Sequence, residues 1–192
     1  MLRPVLSIFG AIALTASYAT GALATDTLRV GDRAPDFTLP LATKDTIMMT
    51  GATLSASLKQ GAVILAFYPA DWSGGCAREM CAFRDSFTGL AELGVTVFGI
   101  SGDYVFSHRE WARSLNLPFA LLSDHDHAVA RAYQSYNEAK GYNVRTVFVV
   151  GQDGQVLYAD RAYSTATSES FDRLRRFLDS QRTSTPSREN PR

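Results

Sequence analysis

Residues 62–68, AVILAFY, form an unbroken apolar run rich in β-branched and aromatic side chains. Such a run predicts a strand buried on both faces, and Pro69 ends it. Beyond ADWSGG (70–75) the period changes. Met80, Phe83, Phe87 and Leu90 recur at steps of 3, 4 and 3, one apolar stripe of a helix. Gly94 is its predicted stop. VTVFGIS (95–101) predicts a second strand. SHREWARSL (107–115) predicts a helix, with Ser107 as N-cap and Glu110 at the capping-box spacing. LPFALLSD (117–124) reads as a short extended piece and HAVARAYQSY (127–136) as another helix. TVFVV (146–150) and QVLYAD (155–160) flank a DG turn, the pattern of a hairpin. SESFDRLRRFLDSQ (168–181) is amphipathic and predicts the last helix. Upstream, RVGDRAPDFTLP (29–40) reads as loop with a short hairpin.

The predicted order is strand, helix, strand, helix, short strand, helix, hairpin, helix. The βαβ start requires a parallel pair with a right-handed crossover, and the closing hairpin adds antiparallel strands. The expected class is therefore α/β: a mixed central β-sheet flanked by helices on both faces, thioredoxin-like in outline.

Length and composition narrow the picture further. The chain has 192 residues, which suits one domain with tails. Hydrophobic residues make up 46%, enough for a packed core. The formal net charge is zero, so no basic excess is present to hold nucleic acid or an anionic membrane surface. The N-terminus has the layout of an export signal: Arg3, then the apolar VLSIFGAIAL (5–14), then small residues ending in ALA (22–24). The expected organisation is a signal peptide over 1–24, one domain over 25–180 and a polar tail over 181–192. The alternative is an uncleaved membrane anchor. The uncharged run 4–25 is long enough, but Ser, Thr, Gly and Tyr dilute its second half. With the signal removed, no stable membrane span is expected, and the protein is placed outside the cytosol, in the periplasm.

The only two cysteines, Cys76 and Cys81, lie in WSGGCAREMC (72–81). An exported protein can keep a disulfide, so a structural clip, a metal site and a reactive pair are all open. Cys76 sits at the predicted strand-to-helix junction. Free N–H groups and the positive end of a helix dipole favour an anion there, and a thiolate is one. Gly74 and Gly75 let backbone approach a small ligand, and Ser73 supplies a hydroxyl. In an intact helix, residues five apart have Cα atoms about 8.7 Å apart, whereas a disulfide needs at most about 7 Å. A bridge therefore competes with the helix that the apolar stripe predicts. The other soft metal ligands are His108, His125 and His127. The cysteine spacing departs from that of paired zinc ligands, and the histidines read as surface or capping residues.

FYPADWSGGCAREMCAFRD (67–85) resembles the peroxiredoxin signature P-x-x-x-[TS]-x-x-C, here Pro69, Ser73 and Cys76. A second cysteine five positions on resembles the bacterioferritin comigratory protein and peroxiredoxin Q subgroup. VGDRAPDFTLP, GISGDYVFSHREWARSLNLPFALLSD and NVRTVFVVGQDGQV are similar to further stretches of that family, the last carrying its arginine as Arg145. The likeness covers about residues 29–178. Ser73 replaces the commoner threonine and Gly74 a common proline. The resemblance implies a thiol-dependent peroxidase of the atypical two-cysteine type. It makes Cys76 the nucleophile that becomes a sulfenic acid, and Cys81 its resolving partner. A thioredoxin-like reductant closes the cycle, and the protein is a monomer or homodimer. Arg145, Ser73 and the N–H groups of Gly75 and Cys76 would donate to sulfur and peroxide, and Pro69 would shape and shield the pocket. Glu79, placed on the first helical turn, would orient the arginine or simply complement the helix dipole. No cofactor and no metal are expected.

Overall fold

The computed structural model describes residues 27–184. The proposed signal over 1–24 and the end of the polar tail lie outside them. At the centre is β3 (Val63–Phe67), every residue of it buried. Its crossover runs through α2 (Gly74–Asp85) and α3 (Phe87–Glu92) to β4 (Thr96–Ser101), which pairs parallel with it. The chain continues through α4 (Val105–Ser114) to β5 (Ala120–Ser123), parallel to β4. On the other side of β3 the hairpin of β8 (Thr146–Val150) and β9 (Val156–Asp160) adds two antiparallel strands. Beyond β5 lie β1 (Thr38–Ala42) and then β2 (Ile47–Thr53) at the edge. The seven-stranded order is β2-β1-β5-β4-β3-β8-β9.

Strand alternation divides the core in two. Ile64 and Ala66 of β3, with Val147 and Val149 of β8, face Met80, Phe83, Leu90 and Trp111. Leu174 and Leu178 of α6 (Glu169–Ser184) close that face. Val63, Leu65, Phe67, Phe148 and Val150 face the other way. Leu54 of α1 (Leu54–Ser57) and Val129 and Ala130 of α5 (Ala128–Ala132) cover them. Helices thus flank both faces, as expected. Gly99 on β4 sets how closely α2 sits. A Cβ there would meet Leu121 Cδ2 at 2.7 Å and Met80 Sδ at 3.0 Å, so only glycine admits the Met80 side chain at this depth.

Several local expectations need correction. The stripe from Met80 to Leu90 is not one helix, because Ser86 leaves helical geometry and caps both α2 and α3. The apolar face survives the break, and periodicity reports only the face. α4 starts at Val105, not after Ser107; its N-cap is Tyr104. Val105 is buried, which draws the helix start upstream, and the Ser107 hydroxyl is bonded elsewhere. Glu110 pairs with Arg109 and Arg113 on the surface instead of capping the helix. α5 stops before Tyr133, where Gln134 takes a left-handed backbone (φ 53°). Residues 136–143 turn back as β6 (Tyr136–Asn137) and β7 (Tyr142–Asn143). The first hairpin lies over 38–53, further along than the 29–40 stretch suggested.

Candidate active site

Register brings the site together. Phe67, the last residue of β3, pairs with Thr146, the first of β8. The chain leaving β3 through Pro69 therefore passes beside Arg145, which precedes β8. Ser73, extended at φ −79° and ψ 139°, is the N-cap of α2 and accepts a hydrogen bond from the Cys76 N–H at 3.3 Å. The same hydroxyl donates to Cys76 Sγ at 2.8 Å, so its proton and one lone pair both serve the helix start. Arg145 Nη2 donates to the same sulfur at 3.4 Å. Cys76 itself is fully buried. Two donors, one from the loop and one from the β8 edge, thus converge on a single sulfur at a helix N-terminus, an arrangement suited to an anion there.

Arg145 is held from behind by a buried ion pair, Nη1 to Glu79 Oε2. Glu79 lies on the second turn of α2, not the first, so the helix dipole does not account for its placement. Among the described residues its second oxygen, Oε1, has no hydrogen-bond partner. A half-served buried carboxylate is costly. Burial pushes the Glu79 carboxyl up to about 7, with Arg145 only partly offsetting it. Burial works against the charge of Arg145, but Glu79 and the Cys76 sulfur outweigh it and raise its affinity for the proton.

This has a measurable consequence. Between about pH 4.5 and 7 the folded protein keeps a proton on Glu79 that the unfolded chain has released. Raising pH through that window therefore favours unfolding, by up to about 3 kcal/mol from this group. Chemical denaturation of the wild type and Glu79→Gln across pH 4–8 should show the variant gaining on the wild type as pH rises. Parallel profiles would contradict the assignment.

Of the residues singled out from the sequence, Cys76, Ser73, Arg145 and Glu79 form one connected set. Gly75 lies against it: a Cβ there would stand 3.3 Å from Arg145 Nη2, so the bare backbone leaves the guanidinium its place. The Cys76 N–H, expected to face peroxide, is engaged by Ser73. Pro69 is half-buried in the loop between β3 and α2. Cys81 is partly exposed, and both cysteines are free. They share the continuous helix α2, which keeps their Cα atoms about 8.7 Å apart. Among the described residues no group of three His, Cys, Asp or Glu side chains could hold a metal ion, and no helix is long and apolar enough to cross a membrane.

One neighbouring cluster escaped the sequence reading. His108 is neither a surface nor a capping residue; it is fully buried. It contacts Asp71 Oδ2 through Nδ1 at 2.9 Å and the Leu122 carbonyl through Nε2 at 3.1 Å. Asp71 is also buried and accepts from Tyr68 Oη at 2.8 Å. Next to it Trp72 has φ 63°, a left-handed conformation that costs a non-glycine residue about 1–3 kcal/mol. The available signal was spacing: Asp71 stands two residues before Ser73, and His108 falls on the helix stripe that ends in Trp111.

The AhpC/TSA family model matches residues 30–159. Peroxiredoxin Bcp of Bacillus subtilis is 31% identical over 137 residues, covering 68% of this chain and 83% of that protein. The chloroplastic peroxiredoxin Q of Triticum aestivum is 39% identical over 130 residues, covering 67% of this chain and 57% of the other. Among solved structures, peroxidoxin BcpB of Mycobacterium tuberculosis superposes with a TM-score of 0.70 at 30% identity. That match covers 80% of this chain and 97% of the other. The reduced 2-Cys peroxiredoxin of Plasmodium vivax, at 23% identity and a TM-score of 0.72, shares the fold. The chain belongs to the AhpC/TSA family and stands with its Bcp and peroxiredoxin Q members.

Proposed function

We propose that this protein is a thiol-dependent peroxidase acting on hydrogen peroxide and organic hydroperoxides, with Cys76 as the attacking sulfur. The observation that carries this reading is the convergence of Ser73 Oγ and Arg145 Nη2 on Cys76 Sγ. The thiolate attacks the terminal peroxide oxygen. An S–O bond forms, the O–O bond breaks, and the departing oxygen takes a proton and leaves as water or alcohol. Sulfur loses two electrons and becomes a sulfenic acid. The donors that hold the thiolate are placed to hydrogen-bond the oxygens as charge moves onto them.

Cys81 Sγ then attacks the sulfenic sulfur, forming the S–S bond as water leaves. Because α2 holds the cysteines too far apart, its first turns unwind for this step. The glycines Gly74 and Gly75 weaken that end of the helix. A thioredoxin-like dithiol restores both thiols by exchange. The signal-like sequence over 1–24 supports a site of action outside the cytosol, in the periplasm. Titration of the reduced protein with hydrogen peroxide should remove both thiols at one equivalent, and peptide mapping should find Cys76 bridged to Cys81 within one chain. A thiol titre unchanged by peroxide would overturn the proposal.

A further inference from the structure

The buried cluster beside the loop of residues 69–73 serves both carboxylate oxygens and the backbone N–H of Asp71. Tyr68 Oη donates to Oδ1 at 2.8 Å, Ser107 Oγ to Oδ2 at 2.7 Å, and His108 Nδ1 lies 2.9 Å from Oδ2. The backbone N–H of Asp71 donates to Asp103 Oδ2 at 2.8 Å, and that carboxylate is held in turn by Ser101 Oγ at 2.7 Å. Ser107 also accepts from Trp72 Nε1 at 3.1 Å, so one hydroxyl ties both loop residues to α4. Both His108 nitrogens face oxygen, Asp71 on one side and the β5 carbonyl of Leu122 on the other. The loop is thereby pinned to β4, α4 and β5 at once.

Between this anchor and Ser73 stands the strained Trp72. Trp72 is mostly exposed, at 60%, so burial of its side chain does not hold its backbone in place. A left-handed tryptophan persists only where its surroundings over-determine it. Asp71 before it and Ser107 beneath its indole supply that constraint. If Trp72 relaxed to negative φ, the chain leaving it would change direction, and the next residue is Ser73. We infer that Tyr68, Asp71, His108 and Ser107 form a positioning cluster: they hold Trp72 in its left-handed backbone and so keep the Ser73 hydroxyl on Cys76 Sγ. The inference rests on the peroxidase reading for its consequence, a faster reaction of Cys76 with peroxide. A cluster that only stabilised the fold would lower the folded fraction and leave the rate per folded molecule unchanged.

The test uses the full chain with Asp71→Asn, and His108→Gln as the milder variant. Each is assayed where circular dichroism shows it folded. The rate constant of Cys76 with hydrogen peroxide is obtained by competition against a second peroxidase, and it should fall about tenfold. Adding Trp72→Gly to Asp71→Asn should recover most of the loss, because glycine adopts positive φ without strain. Unchanged rates in both folded single variants would overturn the inference, as would a loss that Trp72→Gly fails to correct. Iodoacetamide alkylation of Cys76 in a Cys81→Ser background gives a readout independent of peroxide. Loosening the loop should expose the buried sulfur and speed alkylation, and Trp72→Gly should reverse this. If the wild type ignores peroxide while alkylation responds in this way, the peroxidase reading fails and the positioning role stands. If alkylation does not respond either, both fail.

Discussion

Replacing Cys76 with serine should abolish peroxide consumption, lowering it by at least about a thousandfold in a coupled assay. The reason is chemical. A serine hydroxyl is not ionised at neutral pH, and the reacting species is the thiolate. The change removes little else. Serine is nearly the same size as cysteine, and the donors around Cys76 Sγ serve an oxygen as well as a sulfur. The folded protein should therefore melt within a few degrees of the wild type. A Cys76→Ser variant that consumed peroxide at the wild-type rate would remove Cys76 from the chemistry altogether.

The second large effect falls on Cys81. Cys81→Ser should react once with peroxide at a rate close to that of the wild type and then stall with a thioredoxin-like reductant. In the proposed cycle the two cysteines would have separate tasks because of where α2 places them. Cys76 is buried at the helix start between its two donors, whereas Cys81 is partly exposed further along the same helix. Nothing that touches Cys76 Sγ is lost when Cys81 changes. What is lost is the sulfur that would displace water from the sulfenic acid. Rapid quench with thiol counting should give one peroxide per chain, followed by no steady turnover. Sustained turnover at the wild-type rate would assign resolution to another thiol.

The parts of this architecture legible in the sequence were those in which burial writes a pattern. AVILAFY is buried on both faces and reads as a continuous run; the DG turn announces its hairpin. The turn-rich stretches were harder, because tertiary contacts decide them. α4 begins where Val105 can be buried, and α5 ends at a left-handed glutamine that no glycine or proline announces. The site divides in the same way. Cys76, Ser73 and Arg145 were legible because spacing and the family resemblance pointed to them. The depth of Glu79 was not, since a carboxylate early in a helix is ordinarily explained by the dipole. Only the pairing of β3 with β8 brings Arg145 over it. Asp71 and His108 were missed because they lie 37 residues apart in sequence; the crossover through β4 is what joins them.

The proposed chemistry depends above all on Cys76 being the sulfur that meets peroxide. The most direct measurement is to add one equivalent of hydrogen peroxide to reduced Cys81→Ser protein, trap with a sulfenic-acid-specific reagent and map the adduct by mass spectrometry. One adduct per chain is expected, on Cys76, formed as fast as the peroxide disappears. No adduct on Cys76, with its thiol still free after the peroxide is added, would contradict it.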